Sequence, residues 1–451
     1  MVETTVVDTV IKNGKIVTPY QIFEAGIAID DGKIVAIAKA PRLPKAEETV
    51  DAKGNFLLPG VIDAHSHIYD PDYTYREDFI TGTTAAAAGG VTTVIDMPLR
   101  KPVLTSLIKE KIRVGERNSL IDFSFHSGMI VKENVDAIPA VVKLGLKSFK
   151  VFTCAPFKVE DETLIQVMKT VAKYNGVLVV HAENDDVVSE KTNKLKEQGR
   201  KDPMAHIESR PAVAEYKAVN KVITLAKRLG VHIHIAHMTT RRGVELLEKA
   251  KASGQKVTAE TCPHYLIFTK KDMQKLGPYL KMTPPLRSKD DALSLWHGLK
   301  LGIVDIVATD HAPGTREEKE AGWRDIWEAP GGIPGVETLL SLMISEGVNK
   351  GLLSLQDLCR MLCERPGKIF HLYPRKGVLQ LGSDADIVII DLKKETVISA
   401  DMLHYKVGWT PYEGMKLKGY PTLTMVRGEV IASHGEIIGH LGYGTFIPMS
   451  P

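Results

Sequence analysis

One pattern repeats eight times through the middle of the sequence: a short apolar run of strand character, then a longer stretch with the period of a helix. The runs are VIDAHSH, TTVIDM, IDFSFHS, KSFKVF, GVLVVHA, VHIHIAH, KVTAET and VDIVATDH. Regular alternation of strand and helix builds βα units around a parallel sheet. Eight such units predict an α/β chain whose main body, residues 59–372, is a (β/α)8 TIM barrel. Barrels of this kind carry their working residues at the C-terminal strand ends, so the polar residues closing these runs become the functional candidates.

The flanks have another rhythm. TVVDTVIKNGKIVTP and EAGIAIDDGKIVAIA are strand pairs split at Asn13-Gly14 and Asp31-Gly32, dipeptides suited to tight hairpin turns. SDADIVIIDL, TLTMVRGEVIASHGEII and GYGTF repeat the style near the other end. Residues 1–58 and 373–451 are therefore expected to form one composite β-sandwich, the second part including the C-terminal tail.

Composition narrows the partners. Over 451 residues, 44% are hydrophobic and 25% charged, ordinary values for a globular protein, and the formal charge is only +3. No basic run with interleaved aromatics favours nucleic acid, and no apolar run is long enough for a membrane. The first residues lack the basic and apolar regions of a secretory signal, so a cytoplasmic protein acting on a small molecule is expected. The four cysteines are sparse; Cys359 and Cys363 sit four apart in LQDLCRMLCERP, where core packing is a better reading than metal binding.

At the strand ends, His65 and His67 are two apart, so alternation turns both imidazoles to one side. That geometry can hold a metal ion, although two structural histidines would look the same. His181 closes GVLVV, His237 closes VHIHIA and Asp310 closes DIVATD. Each could singly be structural, as a hydrogen-bonded core histidine or a helix cap. Their convergence on one rim favours a metal centre. His232 and His234 rival His237, but alternation from Val231 gives them the opposite face and they lie further from the strand's C-terminal end, so His237 ranks first. Lys150 lies between Phe149 and Val151 in a strand that the barrel should bury. An ammonium there beside cations is unfavourable, which leaves a lysine that snorkels to solvent or one whose amine has reacted with carbon dioxide to give an anionic carbamate.

The ordered set LLPGVIDAHSH, SFKVF, LVVHAEN, IAHMTT, AETCPHYL, KMTPPLR, VATDHAP and KGVLQLGSDADIVIIDL resembles the cyclic amidohydrolases: hydantoinases, dihydropyrimidinases, allantoinases and dihydroorotases. The likeness spans essentially the whole chain. It implies two divalent metal ions, usually zinc, held by His65, His67, a carboxylated Lys150, His181, His237 and Asp310. It also implies attack on a ring amide by a hydroxide shared between the ions, with Asp310 as ligand and base. Thr283 and the Gly331-Gly332 turn are the implied substrate contacts, Arg210 and His264 match family motifs behind the ligands or in a lid, and a homodimer or homotetramer is the implied assembly.

Three positions bear on the ring. Dihydroorotases usually carry an arginine two residues after the second histidine, an asparagine in an M-P-N segment and a histidine soon after the aspartate. This chain has Tyr69, Leu99 and Gly314 there, which favours an uncharged ring. GPYLKM, GWRDIW, GVNKGLLSL, LCERPGKIF and LYPRKG resemble L-selective hydantoinases, whereas TGTTAAAAGGVTTVIDMPL, ESRP, CPHY and GGI are similar to allantoinases. Hydantoinase is placed ahead of allantoinase because Tyr69 and Arg100 replace asparagines usual in the latter; both are candidates for shaping the pocket. A relative that keeps the barrel only for assembly is disfavoured, since all six ligand types remain.

Overall fold

The computed structural model describes residues 6–97 and 105–449; the expectations for Leu99 and Arg100 lie outside the described residues. The barrel strands are β1 (Val61–Ser66), β2 (Val91–Asp96), β3 (Asp122–Phe125), β4 (Ser148–Phe152), β5 (Val177–His181), β6 (His232–Ile235), β7 (Val257–Thr261) and β8 (Ile306–Val307). They form two parallel ladders, β1-β2-β3 and β4-β5-β6-β7-β8. Isolated bridges join the ladders into a ring. Ser127, just past β3, pairs with Phe149, and Ser66 pairs with His311, just past β8.

Why these runs form barrel strands is visible in where their side chains go. Phe149, Val151, Leu178, Val180, Ile233 and Ile235 join the large core beneath the helices, while Val177, Val179, Ile95 and Ile306 belong to a separate interior cluster. A strand buried on both faces reads as a continuous apolar run, because neither face meets water. Phe370, Leu372, Ile447 and Met449 complete the interior cluster from segments that follow the last barrel strand. The helices obey the complementary rule. Ala212–Leu229 buries Ala218, Val222 and Ala226 along one stripe and stops at Gly230, whose φ of 68° is the left-handed value that suits glycine.

The flanking strands make one nine-stranded sheet. Phe56–Pro59 lies between Val7–Val17 from the beginning of the chain and Ile387–Val397 from its end, so both termini are hydrogen-bonded into the same structure. Ile11, Ile27, Leu57, Ile387 and Met425 meet in one core, which requires the sheet to curl over itself. A buried ionic cluster locks this sheet to the barrel: Lys376 contacts Asp122 of β3 at 2.5 Å, Asp386 at 2.7 Å and Asp384 at 2.9 Å, and Arg427 also contacts Asp122. Cys359 and Cys363 are buried, with their thiols on the carbonyls of Val17 and Pro59, in keeping with packing. No described helix is long and apolar enough to cross a membrane.

Candidate metal centre

The C-terminal strand ends open into a cavity of about 320 Å³ whose lining includes His65, His67, Tyr69, Lys150, His181, His237, Thr283, Asp310, Gly331 and Gly332. Arg210 lines it too, whereas His264 is buried beside Tyr265 and does not. The ligand candidates and the substrate contacts named from sequence are thus brought to one place, from five barrel strands and the loops that carry Thr283 and the Gly331-Gly332 turn.

Two of these residues get there by leaving strand geometry. His237 and Asp310 have φ of 36° and 48°, left-handed values that cost energy for residues other than glycine. This corrects the alternation argument for His237. β6 pairs with β5 so that His232 and His234 lie beside Val177 and Val179, on the inward face. His234 even shares Glu260 with His65. His237 reaches the cavity because the strand ends at Ile235 and the backbone turns. Asp310 is steadied in a comparable way: Thr309 donates its backbone N–H and its hydroxyl to Asp63 on β1, fixing the end of β8.

Acceptors behind the imidazoles decide which nitrogen faces the cavity. A carbonyl or carboxylate oxygen can only accept, so the ring nitrogen beside it must carry the proton. Nδ1–H of His65 donates to Glu260, Nδ1–H of His67 to the Met97 carbonyl at 2.6 Å, and Nε2–H of His181 to Glu183 at 2.8 Å. Nε2 of His65 and of His67 then present lone pairs to Oδ1 of Asp310, at 3.2 and 3.1 Å. Acceptor faces acceptor at both contacts, an arrangement that a cation between them would satisfy. Burial lowers the pKa of His65, favouring the neutral ring that a metal needs. Burial alone would raise the Asp310 carboxyl, but His65, His67 and His237 outweigh it and hold the group ionised.

On the other side, Nδ1 of His181 lies 3.0 Å from Nε2 of His237. Burial lowers the pKa of His181, but Cys154 and Glu183 more than offset this and raise it to about 9, whereas burial takes His237 well down. Without metal, His181 therefore donates to His237, and a cation bound there would displace that proton. Lys150 lines the same cavity, near enough to Glu260 and Asp310 to feel their charge. It is 1% exposed, and its Nζ has no hydrogen-bond partner among the described residues. Burial lowers its pKa to about 8, although Glu260 and Asp310 oppose the shift. A buried amine without a partner in a cavity lined by two sets of ligand atoms is an incomplete arrangement by its own chemistry, and the donor set fits two divalent cations.

The sequence reading missed Glu183 and Glu260, the acceptors that orient His181 and His65. Glu183 stands two residues after His181, a signal that was available; Glu260 ends no contact pattern until β6 and β7 are paired. The cavity also contains Arg76, Phe152, Phe157 and Cys154. Among the described residues two arginines line its wall and both are engaged, Arg76 by Glu318 at 2.6 Å and Arg210 by Glu183 at 2.5 Å. Tyr69 lies nearly parallel to His67, ring centroids 6.2 Å apart. Gly332, at φ 114°, has the Ala312 carbonyl where a Cβ would stand, and its N–H donates to Lys281, so further contacts from this turn fall to Gly331 and the carbonyls.

Residues 56–431 match the Amidohydrolase family. An L-hydantoinase of Paenarthrobacter aurescens is 38% identical, with 98% of each chain covered. A dihydroorotase of Methanothermobacter thermautotrophicus is also 38% identical, over 94% of each. Among solved structures, an L-hydantoinase (dihydropyrimidinase) from Arthrobacter aurescens superposes with a TM-score of 0.95 at 37% identity, covering 98% of this chain and all of that one. Barrel, terminal sheet, converging ligand types and full-length likeness agree: the chain belongs to the amidohydrolase family, among its cyclic amidohydrolases.

Proposed function

We propose that this protein hydrolyses the ring amide of an uncharged cyclic ureide of the hydantoin or dihydropyrimidine type, using two divalent metal ions, zinc being the expected metal. His65, His67 and Asp310 would hold one ion, His181 and His237 the other, and Lys150, as a carbamate, would reach both. The observation that carries the reading is the pair of histidine lone pairs set against the Asp310 carboxylate, with the unpartnered Lys150 amine beside them.

When bound, such ions supply an acidified water at neutral pH and polarise the ring carbonyl. The remaining work falls to the chain. Oδ1 of Asp310 faces both imidazoles, leaving Oδ2 to take the proton from the attacking water and deliver it to the departing ring nitrogen. Glu260 and Glu183 keep the His65 and His181 rings from rotating. Thr283 and Gly331 are placed to hold the ring by hydrogen bonds, and Tyr69 to bound its edge.

The neutral ring is supported by Tyr69 standing two residues after His67 and by the pairing of Arg76 and Arg210 with carboxylates of the protein. A parallel assay of the metal-loaded protein with hydantoin, 5-substituted hydantoins, dihydrouracil, allantoin and dihydroorotate tests it. The highest kcat/KM is expected with a 5-substituted hydantoin. Dominant turnover of dihydroorotate would overturn the argument from Tyr69, and a folded protein that neither contains nor acquires divalent metal would overturn the reaction itself.

A further inference from the structure

Two buried lysines near the cavity have no role in the chemistry above. Lys281 is 8% exposed and Lys319 is fully buried, and among the described residues neither ammonium has a carboxylate partner. Their hydrogen bonds go to backbone carbonyls. Lys281 Nζ donates to Ile326 at 2.6 Å and Ala329 at 2.5 Å; Lys319 Nζ donates to Pro330 at 2.9 Å and to the Lys281 carbonyl at 3.2 Å. That same carbonyl accepts the N–H of Gly332 at 2.9 Å.

These contacts join two separate walls of the cavity. One wall is the segment carrying Thr283, two residues beyond Lys281; the other is the turn Pro330-Gly331-Gly332. The walls are close, since a Cβ on Gly331 would stand 3.1 Å from Oγ1 of Thr283. Burying an ammonium without a counter-charge is unfavourable, and a methionine of similar shape would avoid that cost. What a methionine cannot do is tie carbonyls of different segments at once. We propose that Lys281 and Lys319 are positioning residues, which fix the Pro330–Gly332 turn against the Thr283 segment so that both meet the same substrate ring. The idea rests on the cavity being the site of a cyclic amide, but not on which ring it takes.

The test uses Lys319→Met and Lys281→Met in the full-length, metal-loaded protein, with whichever ring of the panel the wild type opens fastest. Choosing the substrate this way separates failure of the clamp from failure of the hydantoin assignment. KM is expected to rise at least about tenfold, the loss of a charge-assisted hydrogen bond, with kcat within about threefold. Metal content should stay at the wild-type value. Hydrogen exchange should increase in residues 326–332 and not in the strand ends that carry the histidines. Should Lys319→Met fail to fold, Lys281→Met carries the test, because it keeps the ties made by Lys319. An unchanged KM with unchanged exchange, a loss of metal that parallels the loss of kcat, or the failure of both variants to fold would each overturn the proposal.

Discussion

Lys150 and Lys376 are each 1% exposed, and the protein treats them in opposite ways. Three carboxylates surround Lys376, and although burial alone would lower its pKa, Asp386, Asp122 and Asp384 drive it above the usual lysine range. Lys150 has no hydrogen-bond partner among the described residues, and burial drives its pKa down to about 8. One cluster is electrically complete and joins two parts of the fold. The other is complete only when something is added to it. Burial of charge is thus no guide to function by itself; what separates the two sites is whether the charge has been answered.

The largest expected effect comes from removing the unanswered lysine. Lys150→Ala should lower kcat by at least about 10³-fold, the several kcal/mol that correctly held metal ions contribute. A small added carboxylic acid should partly restore it by filling the place of the proposed carbamate. Unchanged kinetics and metal content would break the contrast at once. Lys376→Met should act on the other quantity. It leaves three carboxylates without their shared cation, and urea denaturation should show a loss of about 3–5 kcal/mol. Where the variant remains folded, its KM and bound metal should match the wild type.

Glu260→Gln sharpens the comparison inside the rim. The amide can still fill the space behind His65 but no longer carries the charge that makes the ring a stronger ligand. Competition with a chelator should show metal affinity about 10- to 100-fold weaker. Such backing groups mark the boundary of what the sequence alone made legible. All eight strands could be read, because barrel strands are apolar on both faces and end on polar residues. His65, His67 and His181 stand at those ends and were legible for the same reason, and Asp310 was legible as the polar residue closing its run although a left-handed turn beyond the strand carries it. His237 was placed by two arguments: its position at the strand end, which holds, and alternation, which fails because a left-handed turn brings the residue into the cavity. Glu260 and the partners of Lys376 were hidden because pairing across strands, and between Asp122 and residues 384–386, is set by tertiary contact rather than spacing. Lys281 and Lys319 look like surface charges until the fold buries them.

The smallest effect distinguishes the clusters by sign. At the junction, burial raises the Asp384 carboxyl, but Lys376, Lys33 and Arg375 outweigh it and hold it at about 2. Between pH 3.8 and 2 the unfolded chain therefore binds more protons at this residue than the folded one, so its contribution to stability is lost as the pH falls through that window. At the rim, the unfolded chain binds more protons at Lys150 between pH 8 and 10.5, so stability of the metal-free, carbamate-free protein rises as the pH increases there. Lys281, also lowered by burial to about 8, adds to the same rise, which makes the difference between wild type and Lys150→Ala the informative quantity. Denaturation midpoints followed from pH 2 to 11 should show a smaller alkaline rise in Lys150→Ala with the acid slope intact. Lys376→Met should show a flatter acid slope with the alkaline rise intact. If one substitution alters both windows equally, the two clusters are coupled, and the separation of a structural charge site from a reactive one fails.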